Sequence, residues 1–520
     1  MTVAAAETRD AALARPQRAA FRRWILPSLA VVSVLAACII RSLATLEVGD
    51  EIYTHVELSD PSLVHLFRTV PHLGGAGMPL FYLTFWSWSR LFGLSDLSLR
   101  LCASIAICGA FLLLFAMLRR RFGDRAAFIG AAFGFFAPIT VIDAGVETRT
   151  YGLYLLLAVL AVRQWLTVAD TPRPRARDLA LLALTQAGLV LGHVLGLIYA
   201  SILLAALIAL DAFRHRFRPL VYLSFMAGWL ALIPWIPAIL TSAAAGKPRG
   251  WIPMPGIGSF AMGLSCWNFL QFYWPAFHNH LSLLGLAWIV ATALIFALVF
   301  GAIRRLRTAP APDVTIIAAG LALVLAPEVF FVVSRAAQPI FLPRYMIPTA
   351  MGVAILCACW AQRSRLAQIG NGRTLGPALV LLPLAAAMVP RPAPVDAAAL
   401  DRIAAGRPLV CDYSRDFLVV WRYSAHPRSI EYPLDWQAAL RGPQNAPTDF
   451  HLMENYRREG YFPGSLPTMQ ELLRRKSFLL LDSTNTNWFQ LEIASNPRFS
   501  WSVLRQIDPE HRVIEVTQLP

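Results

Sequence analysis

Two adjacent carboxylates, Asp50 and Glu51, follow the first long apolar segment of the chain within a few residues. A carboxylate at this position, just beyond the end of a predicted membrane span, can act as a general base toward a hydroxyl group. The alternative is an ordinary solvated acid in a loop. The loops on the same predicted side are otherwise poor in acids near the apolar segments, which favours a chemical role for the pair.

Two arginines, Arg149 and Arg344, each lie at the edge of an apolar segment and are followed by a tyrosine, Tyr151 and Tyr345. An arginine at this depth costs desolvation unless it has a partner or reaches water. A phosphate group is a natural partner, because a guanidinium binds two of its oxygens at once. The alternatives are an arginine whose head extends to the membrane interface and a structural ion pair, for example with Glu147.

Glu328 and His193 are two further candidates. Glu328 lies inside an apolar segment, where a carboxylate is by default a candidate for function. The structural alternative is an ion pair with Arg335 or Arg344. His193 lies at a predicted helix break, where a histidine is either a hydrogen-bonded part of the framework or a ligand or base of a site. The chain has no HExxH motif and no Cys/His spacing typical of a metal site, so we expect neither a metal nor another cofactor.

The elements that position these residues must be membrane helices. Of the 520 residues, 57% are hydrophobic and only 15% are charged, which is typical of membrane proteins. The apolar segments predict eleven spans of about the length that crosses a bilayer. Their predicted bounds are 24–43, 98–118, 126–142, 150–168, 178–192, 195–210, 219–240, 281–301, 314–333, 345–361 and 374–390.

The loops between these spans alternate in charge. Every second loop carries several arginines, as in 119–125 and 214–218, and residues 1–23 are Arg-rich as well. Because cytoplasmic loops of membrane proteins retain Lys and Arg, we expect the N-terminus inside and the region after the last span outside. The acidic pair and both arginines then share the outer side. The net charge of +15 is explained by these loops and does not predict nucleic-acid binding.

The same charge rule decides two ambiguous segments. The apolar stretch 178–210 is divided at Gly192-His193, because one long helix would place every later Arg-rich loop outside. Segment 78–93 is apolar but short and rich in aromatic residues, and counting it as a span would place 119–125 outside. We therefore predict that it forms an interfacial helix on the outer leaflet.

Three regions follow from this organisation: a disordered cytoplasmic tail at 1–23, a transmembrane catalytic domain at 24–390 and an extracytoplasmic α/β domain at 391–520. The last region has short β-like runs but no GxGxxG motif or P-loop that would bind a nucleotide. These runs are Leu409–Tyr413, Phe478–Leu481 and Val513–Val516, with a helix-like run, Met469–Lys476, before the second.

The order of several motifs resembles that of a known family. The motifs are Asp50-Glu51, MPLFYL and RLFG within 78–93, LRL at 99–101, RRRFGDRAA at 119–127, ETRTY at 147–151 and PIFLPRYMIP at 339–348. Over residues 24–365 the chain resembles the GT-C superfamily of integral-membrane glycosyltransferases. Within it, the chain is most similar to the protein O-mannosyltransferase-like and aminoarabinose-transferase-like enzymes, including the rhizobial lipid A galacturonosyltransferase type. One difference is Met78-Pro79, where many members have Pro-Pro.

This resemblance implies a mainly α, polytopic GT-C arrangement and a sugar donor linked to a polyprenyl phosphate. It implies transfer at the outer face of the cytoplasmic (inner) membrane, with inversion, to a glycan, glycolipid or protein acceptor. By position, Asp50 would be the base or acceptor-orienting carboxylate and Glu51 the second acid. The resemblance assigns the arginine–tyrosine motifs to the donor site, as Glu147, Arg149, Tyr151, Arg344 and Tyr345.

Two other functions compete with this interpretation. A transporter or flippase for lipid-linked sugars more often has internal repeats and polar, broken helices near the middle of the membrane. Here the polar residues lie at the outer ends of spans, and the sequence has no evident repeat. A non-catalytic scaffold would not need the acidic pair and the arginines. We therefore expect a glycosyltransferase.

Overall fold

The computed structural model describes the chain except for residues 1–2, 74–77, 246–251, 267–280, 309, 365–374, 390, 392, 442–445 and 485–488. The described chain is mainly helical, as predicted. The helices in chain order are α1 (Val3–Ala44), α2 (Asp50–Leu58), α3 (Leu63–Thr69), α4 (Pro79–Phe92), α5 (Asp96–Phe122), α6 (Asp124–Phe136), α7 (Ile139–Val146), α8 (Tyr151–Asp170), α9 (Ala176–Gly192), α10 (Gly196–Phe213), α11 (Pro219–Trp229), α12 (Ile236–Ala245), α13 (Ile257–Leu264), α14 (Leu281–Leu306), α15 (Ala311–Val324), α16 (Ala326–Ala336), α17 (Thr349–Ala361), α18 (Leu375–Ala387), α19 (Ala397–Ala404), α20 (Ser414–Tyr423), α21 (Trp436–Arg441), α22 (Ala446–Arg458) and α23 (Met469–Leu473).

The chain divides into two compact units, which we call the helical unit and the sheet unit. The helical unit consists of Met1–Ala44, Leu97–Leu232 and Met254–Pro390. The sheet unit consists of Thr45–Asp96, Ile233–Pro253 and Arg391–Pro520. The segment between α1 and α5, which the sequence assigns to the membrane domain, therefore packs with the C-terminal region.

Seven described helices are long and apolar enough to cross a membrane, and the bent pair α6–α7 makes eight if it forms one span. The predicted spans at 178–192, 345–361 and 374–390 correspond to the shorter helices α9, α17 and α18. A polytopic helical membrane protein is thus confirmed, and the number eleven stays a prediction. The predicted break at Gly192-His193 is present, because α9 ends at Gly192 and α10 begins at Gly196.

The predicted span at 126–142 consists of two helices in the structure. Helix α6 ends at Phe136, α7 begins at Ile139, and the two helices are bent by 73° relative to each other. Pro138 explains the break, because it has no N–H to donate to the preceding turn and its backbone is extended, with φ −77° and ψ 119°.

The Arg-rich loops meet at one end of the helical unit. Arg218 donates to the carbonyl of Val168 at 2.8 Å, which joins the loop after α10 to the end of α8. Gln362, just after α17, accepts from Arg305 at 2.6 Å and donates to the carbonyl of Arg121 at 3.4 Å. The Arg-rich loops that alternate with other loops along the sequence thus lie together in the structure.

Helices α6 and α17 lie close together because α6 carries glycines at the contact. A Cβ on Gly130 would lie 2.4 Å from the carbonyl oxygen of Ala354, and one on Gly134 would lie 2.6 Å from the Ala354 Cβ. Small residues of this kind let two helix backbones approach within a membrane. Helix α6 leads toward Arg149 and α17 follows Arg344, so this contact helps to fix the two arginine-bearing segments relative to each other.

The sheet has five strands in the order β2-β1-β3-β5-β4. Strand β1 pairs in parallel with β2 and β3, and β5 pairs antiparallel with β3 and β4. The strands are β1 (Leu409–Cys411), β2 (Ile430–Glu431), β3 (Ser477–Ser483), β4 (Phe499–Gln506) and β5 (His511–Gln518). The predicted runs are β1, β3 and β5. Strand β2 is too short to give a pattern, and β4 is mostly exposed and so lacks the buried apolar run that identified the others.

Helix α2 shares the core of the sheet unit. Its Ile52 and Val56 are buried in the same apolar cluster as Leu479 of β3. The ring of Tyr53 stacks on Tyr456 of α22, with centroids 5.4 Å apart and planes within 4°. Because burial of apolar surface is favourable, the C-terminal region holds α2 in place.

The predicted interfacial segment 78–93 forms α4, a 14-residue helix that is not among the candidate spans. The hydroxyl of Tyr82 donates to the Glu57 carboxylate at 2.6 Å, and Trp86 Nε1 donates to the Asp60 carbonyl at 2.9 Å. Part of its aromatic face therefore contacts α2 and the residues just after it. Its interfacial position stays a prediction.

We expect Gly134→Val to destabilise the helical unit by about 1–3 kcal/mol, because the branched side chain would overlap Ala354. The measurement is the midpoint of thermal unfolding of the purified protein in detergent. Gly109→Ala is the matched control, since a Cβ there would meet Leu156 Cδ1 at an ordinary 3.6 Å. Identical midpoints for Gly134→Val and the wild type would contradict the packing described above.

Candidate active site

Residues from three distant parts of the chain meet in the helical unit. The guanidinium carbon of Arg344 lies 6.0 Å from the ring centroid of Tyr151 and 5.7 Å from that of Tyr345. The ring of His193 lies 5.7 Å from Tyr151 and 5.8 Å from Tyr345. Arg149 is near enough for its charge to act on His193. We call Arg149, Tyr151, His193, Arg344 and Tyr345 the arginine cluster.

His193 is a neutral hydrogen-bond donor in this cluster. It is buried, and burial together with the charges of Arg149 and Arg344 lowers the pKa of its imidazole to about 3. Its Nδ1 accepts the backbone N–H of Leu195 at 3.1 Å. The neutral ring therefore carries its proton on Nε2. The ring also stacks on Tyr154, with centroids 4.7 Å apart, which fixes its orientation.

The turn that carries Arg149 is tied directly to the helix break at His193. The hydroxyl of Thr150 donates to the carbonyl of Gly192 at 2.7 Å. The N–H of Arg149 donates to the carbonyl of Glu147 at 2.8 Å, which closes a tight turn between α7 and α8. The first of these bonds joins the predicted ETRTY motif to a part of the chain 42 residues away. The motif thus positions one arginine beside the histidine.

The electrostatics of the cluster favour an anion. The cluster contains two guanidinium groups and one imidazole N–H, and the charges of both arginines add to the effect of burial in lowering the pKa of His193. In an apolar environment each such charge is poorly screened. A phosphate carries the charge and the acceptor oxygens that this arrangement can bind. The geometry is therefore suited to binding a phosphate group, and it is equally suited to stabilising a phosphate that leaves a sugar.

Glu328 has different surroundings. Its two carboxylate oxygens are buried and form no hydrogen bond with any described residue. Neither of the proposed ion pairs, with Arg335 or Arg344, is present in the described structure. Helix α13 packs directly over the carboxylate, since a Cβ on Gly263 would lie 2.4 Å from Oε1. The role of Glu328 stays a prediction.

Asp50 and Glu51 form the first turn of α2 in the sheet unit. Gly49 precedes them with φ +49° and ψ −113°, a backbone conformation that a side chain would strain. Glu51 is buried, whereas Asp50 is half-buried, so Asp50 is the more accessible of the two carboxylates. The hydroxyl of Thr54 donates to the Asp50 carbonyl at 3.1 Å and steadies this turn.

A further cluster of acidic residues near α2 was not predicted from the sequence. The ligand atoms of Glu47, His55 and Asp96 all lie within 4.8 Å of one another. The Arg422 guanidinium lies 2.8 Å from Asp96 and 3.8 Å from Glu47, and the Tyr423 hydroxyl donates to Asp96 at 2.7 Å. Arg422 contacts both carboxylates, and His55 Nδ1 lies 3.1 Å from the Glu47 carboxylate, so this group joins α2 to α20.

Residues 391–520 also contribute to the surroundings of Asp50, which no motif indicated. The hydroxyl of Tyr456 donates to the buried Glu57 carboxylate at 2.6 Å, across 399 positions of the sequence. Asp449, in the first turn of α22, accepts the Ser414 hydroxyl at 2.6 Å. Burial is the main reason that the pKa of Asp449 is raised to about 6, and the charge of Asp50 raises it further.

No protein-family model matches the chain, and no curated protein matches it. Among solved structures, it is similar to ArnT from Cupriavidus metallidurans in the apo state, with a TM-score of 0.58 and 13% identity over 94% of this chain and 97% of ArnT. The same protein bound to undecaprenyl phosphate gives a TM-score of 0.55 and 13% identity over 95% of this chain and 97% of ArnT. ArnT is an aminoarabinose transferase of the GT-C superfamily. At this identity the likeness shows the fold alone: the chain has the same fold as ArnT.

Proposed function

We propose that this protein is a membrane glycosyltransferase that moves a sugar from a polyprenyl-phosphate donor to a glycan, glycolipid or protein acceptor. The observation that carries the proposal is the arginine cluster, which joins two guanidinium groups and a neutral imidazole in a chain with the ArnT fold. One ArnT structure is bound to undecaprenyl phosphate, so a ligand of this class fits a protein of this fold.

The arginine cluster would bind the phosphate of the donor and stabilise it as it leaves. Negative charge grows on the phosphate oxygens as the bond from the anomeric carbon to the phosphate oxygen breaks. Preplaced cations and N–H donors stabilise that charge in the transition state more than in the bound donor. His193 suits this role because its neutral ring adds a donor without adding a third positive charge.

Asp50 would take the proton of the acceptor hydroxyl. As the hydroxyl oxygen attacks the anomeric carbon, its proton passes to the carboxylate and the polyprenyl phosphate departs with the electron pair of the broken bond. A single basic carboxylate suffices for this direct displacement, which inverts the anomeric carbon. The half-buried position of Asp50 at the start of a well-held helix supports this assignment over its buried neighbour Glu51.

Transfer would take place on the outer face of the cytoplasmic membrane. The Arg-rich loops gather at one end of the helical unit, through contacts such as those of Arg218 and Arg305. Loops of this composition stay in the cytoplasm. The arginine cluster, built from predicted outer loops, would then face outward, as would residues 391–520.

We expect Arg344→Ala to weaken use of the donor more than use of the acceptor. Loss of one charge-stabilising donor typically lowers the turnover rate by about 10²–10³. The measurement is the rate of sugar transfer at varied donor and acceptor concentrations, together with binding of undecaprenyl phosphate alone. Arg335→Ala, an exposed arginine of α16, is the matched control. Equal losses toward donor and acceptor would indicate that Arg344 is structural.

We expect Asp50→Asn to reduce sugar transfer by about 10²–10⁴, because the amide cannot accept the proton of the acceptor. Binding of undecaprenyl phosphate and the thermal unfolding midpoint should stay as in the wild type. Glu454→Gln, an exposed carboxylate of α22 in the same unit, is the control. Near-normal transfer by Asp50→Asn would remove Asp50 from the role of base.

A further inference from the structure

Asp60, a buried residue just after α2, holds an arginine of α4 in place. Its carbonyl accepts hydrogen bonds from Trp86 Nε1 at 2.9 Å and from Nη2 of Arg90. The same Nη2 donates to the carbonyl of Leu58 at 3.2 Å, and the guanidinium carbon of Arg90 lies 4.8 Å from the centroid of the Trp86 ring. No described residue accepts a hydrogen bond from Nε or Nη1 of Arg90. The guanidinium is therefore fixed, with donors that a ligand can use.

The carboxylate of Asp60 holds a second basic side chain, His65 of α3. Nδ1 of His65 pairs with Oδ2 of Asp60, and the same oxygen accepts the hydroxyl of Tyr461 at 2.8 Å. Oδ1 accepts the backbone N–H of Ser62 at 2.9 Å. Because these contacts fix the carboxylate, it holds the imidazole in one orientation, although the His65 side chain is 47% exposed. Nε2 bonds to no described residue, and it can donate to an anion when the ring is protonated.

The exposed side of α4 is apolar around Arg90. Leu83 is 42% exposed, Leu91 76% and Phe92 61%. An apolar helix face with a basic residue is unfavourable in water and is typical of helices that lie on the surface of a bilayer. Helix α5, a candidate membrane span, begins at Asp96, six positions after Arg90. The chain therefore keeps Arg90 within about 20 Å of the start of that span.

We propose that Arg90 and His65 form a binding site for the phosphate of a phospholipid headgroup, with Asp60 as the residue that positions both. A headgroup phosphate carries negative charge and acceptor oxygens at the bilayer surface, and the guanidinium and the protonated imidazole supply N–H donors of the opposite charge. The exposed apolar side chains beside Arg90 contact the acyl chains of the same lipid. The site goes beyond the proposed function, because it binds the sheet unit to the membrane surface and takes no part in sugar transfer.

The test is photolabelling of the purified full-length protein in detergent with a photoreactive phosphatidylglycerol, followed by mapping of the labelled peptides by mass spectrometry. We expect labelling of α4 in the wild type. Its apparent affinity should fall about tenfold in Arg90→Gln, through loss of hydrogen bonds to a charged group. His65→Asn should lower it several-fold, since its amide can still donate to Asp60 but lacks Nε2. Arg402→Gln, an exposed arginine of α19, is the matched control and should be labelled as the wild type is.

Unchanged labelling of α4 in folded Arg90→Gln would overturn this inference. If the thermal midpoint shows that Arg90→Gln is not folded, His65→Asn decides in the same way. A photoreactive diacylglycerol, which has no phosphate, should label α4 weakly and equally in wild type and variants. Loss of its labelling in parallel with that of phosphatidylglycerol would show that apolar contacts alone were lost, and would also overturn the inference.

Binding of undecaprenyl phosphate should be the same in Arg90→Gln and the wild type. A parallel loss of that binding would assign Arg90 to the donor and contradict the headgroup site. Because none of these measurements uses sugar transfer, a failure of the headgroup site leaves the proposed function intact, and a protein that transfers no sugar would leave the headgroup site intact.

Discussion

Charged side chains are costly in the apolar environment of a membrane span, and this cost decides where the charges of the helical unit lie. At one end, arginines such as Arg218 and Arg305 are held by backbone carbonyls, carboxylates and amides. In the arginine cluster, Arg344 lies beside two tyrosine rings, and the charges of Arg149 and Arg344 both act on a histidine that is kept neutral. Arg149 and Arg344 provide positive charge and N–H donors that suit a phosphate.

The sheet unit stabilises the short helix α2, which carries Asp50. Helix α2 has only nine residues and would be unstable alone in water. It gains its stability from the C-terminal region, through the buried Ile52 and Val56 and the stacking of Tyr53 on Tyr456. The C-terminal region is thus a support for the acidic pair, and the buried Glu57 strengthens that support with its two tyrosine hydrogen bonds.

Much of the fold could be predicted because it follows from composition and charge. The break at His193 came from the alternation of Arg-rich loops, and it is present in the structure. The bend at Pro138 was missed because hydropathy continues across it, although the proline itself was visible. Strands β1, β3 and β5 gave apolar runs, whereas β2 and β4 did not.

Only those parts of the candidate site could be predicted that depend on which side of the membrane a residue faces. The shared outer side of Arg149, His193 and Arg344 suggested that they could meet, and the structure brings them together. The hydrogen bond of Tyr456 to Glu57 of α2 had no sequence signal, because it joins positions 399 residues apart. For Glu328, the sequence suggested ion pairs that the described structure does not contain.

The central claim is that the donor is a sugar linked to a polyprenyl phosphate. The most direct measurement is incubation of the purified protein in lipid nanodiscs with polyprenyl-phosphate sugars or nucleotide sugars, using a cell-envelope extract as acceptor. We expect sugar transfer with release of polyprenyl phosphate in equal amount, and no transfer from nucleotide sugars. Transfer from a nucleotide sugar in the absence of a polyprenyl phosphate would contradict it.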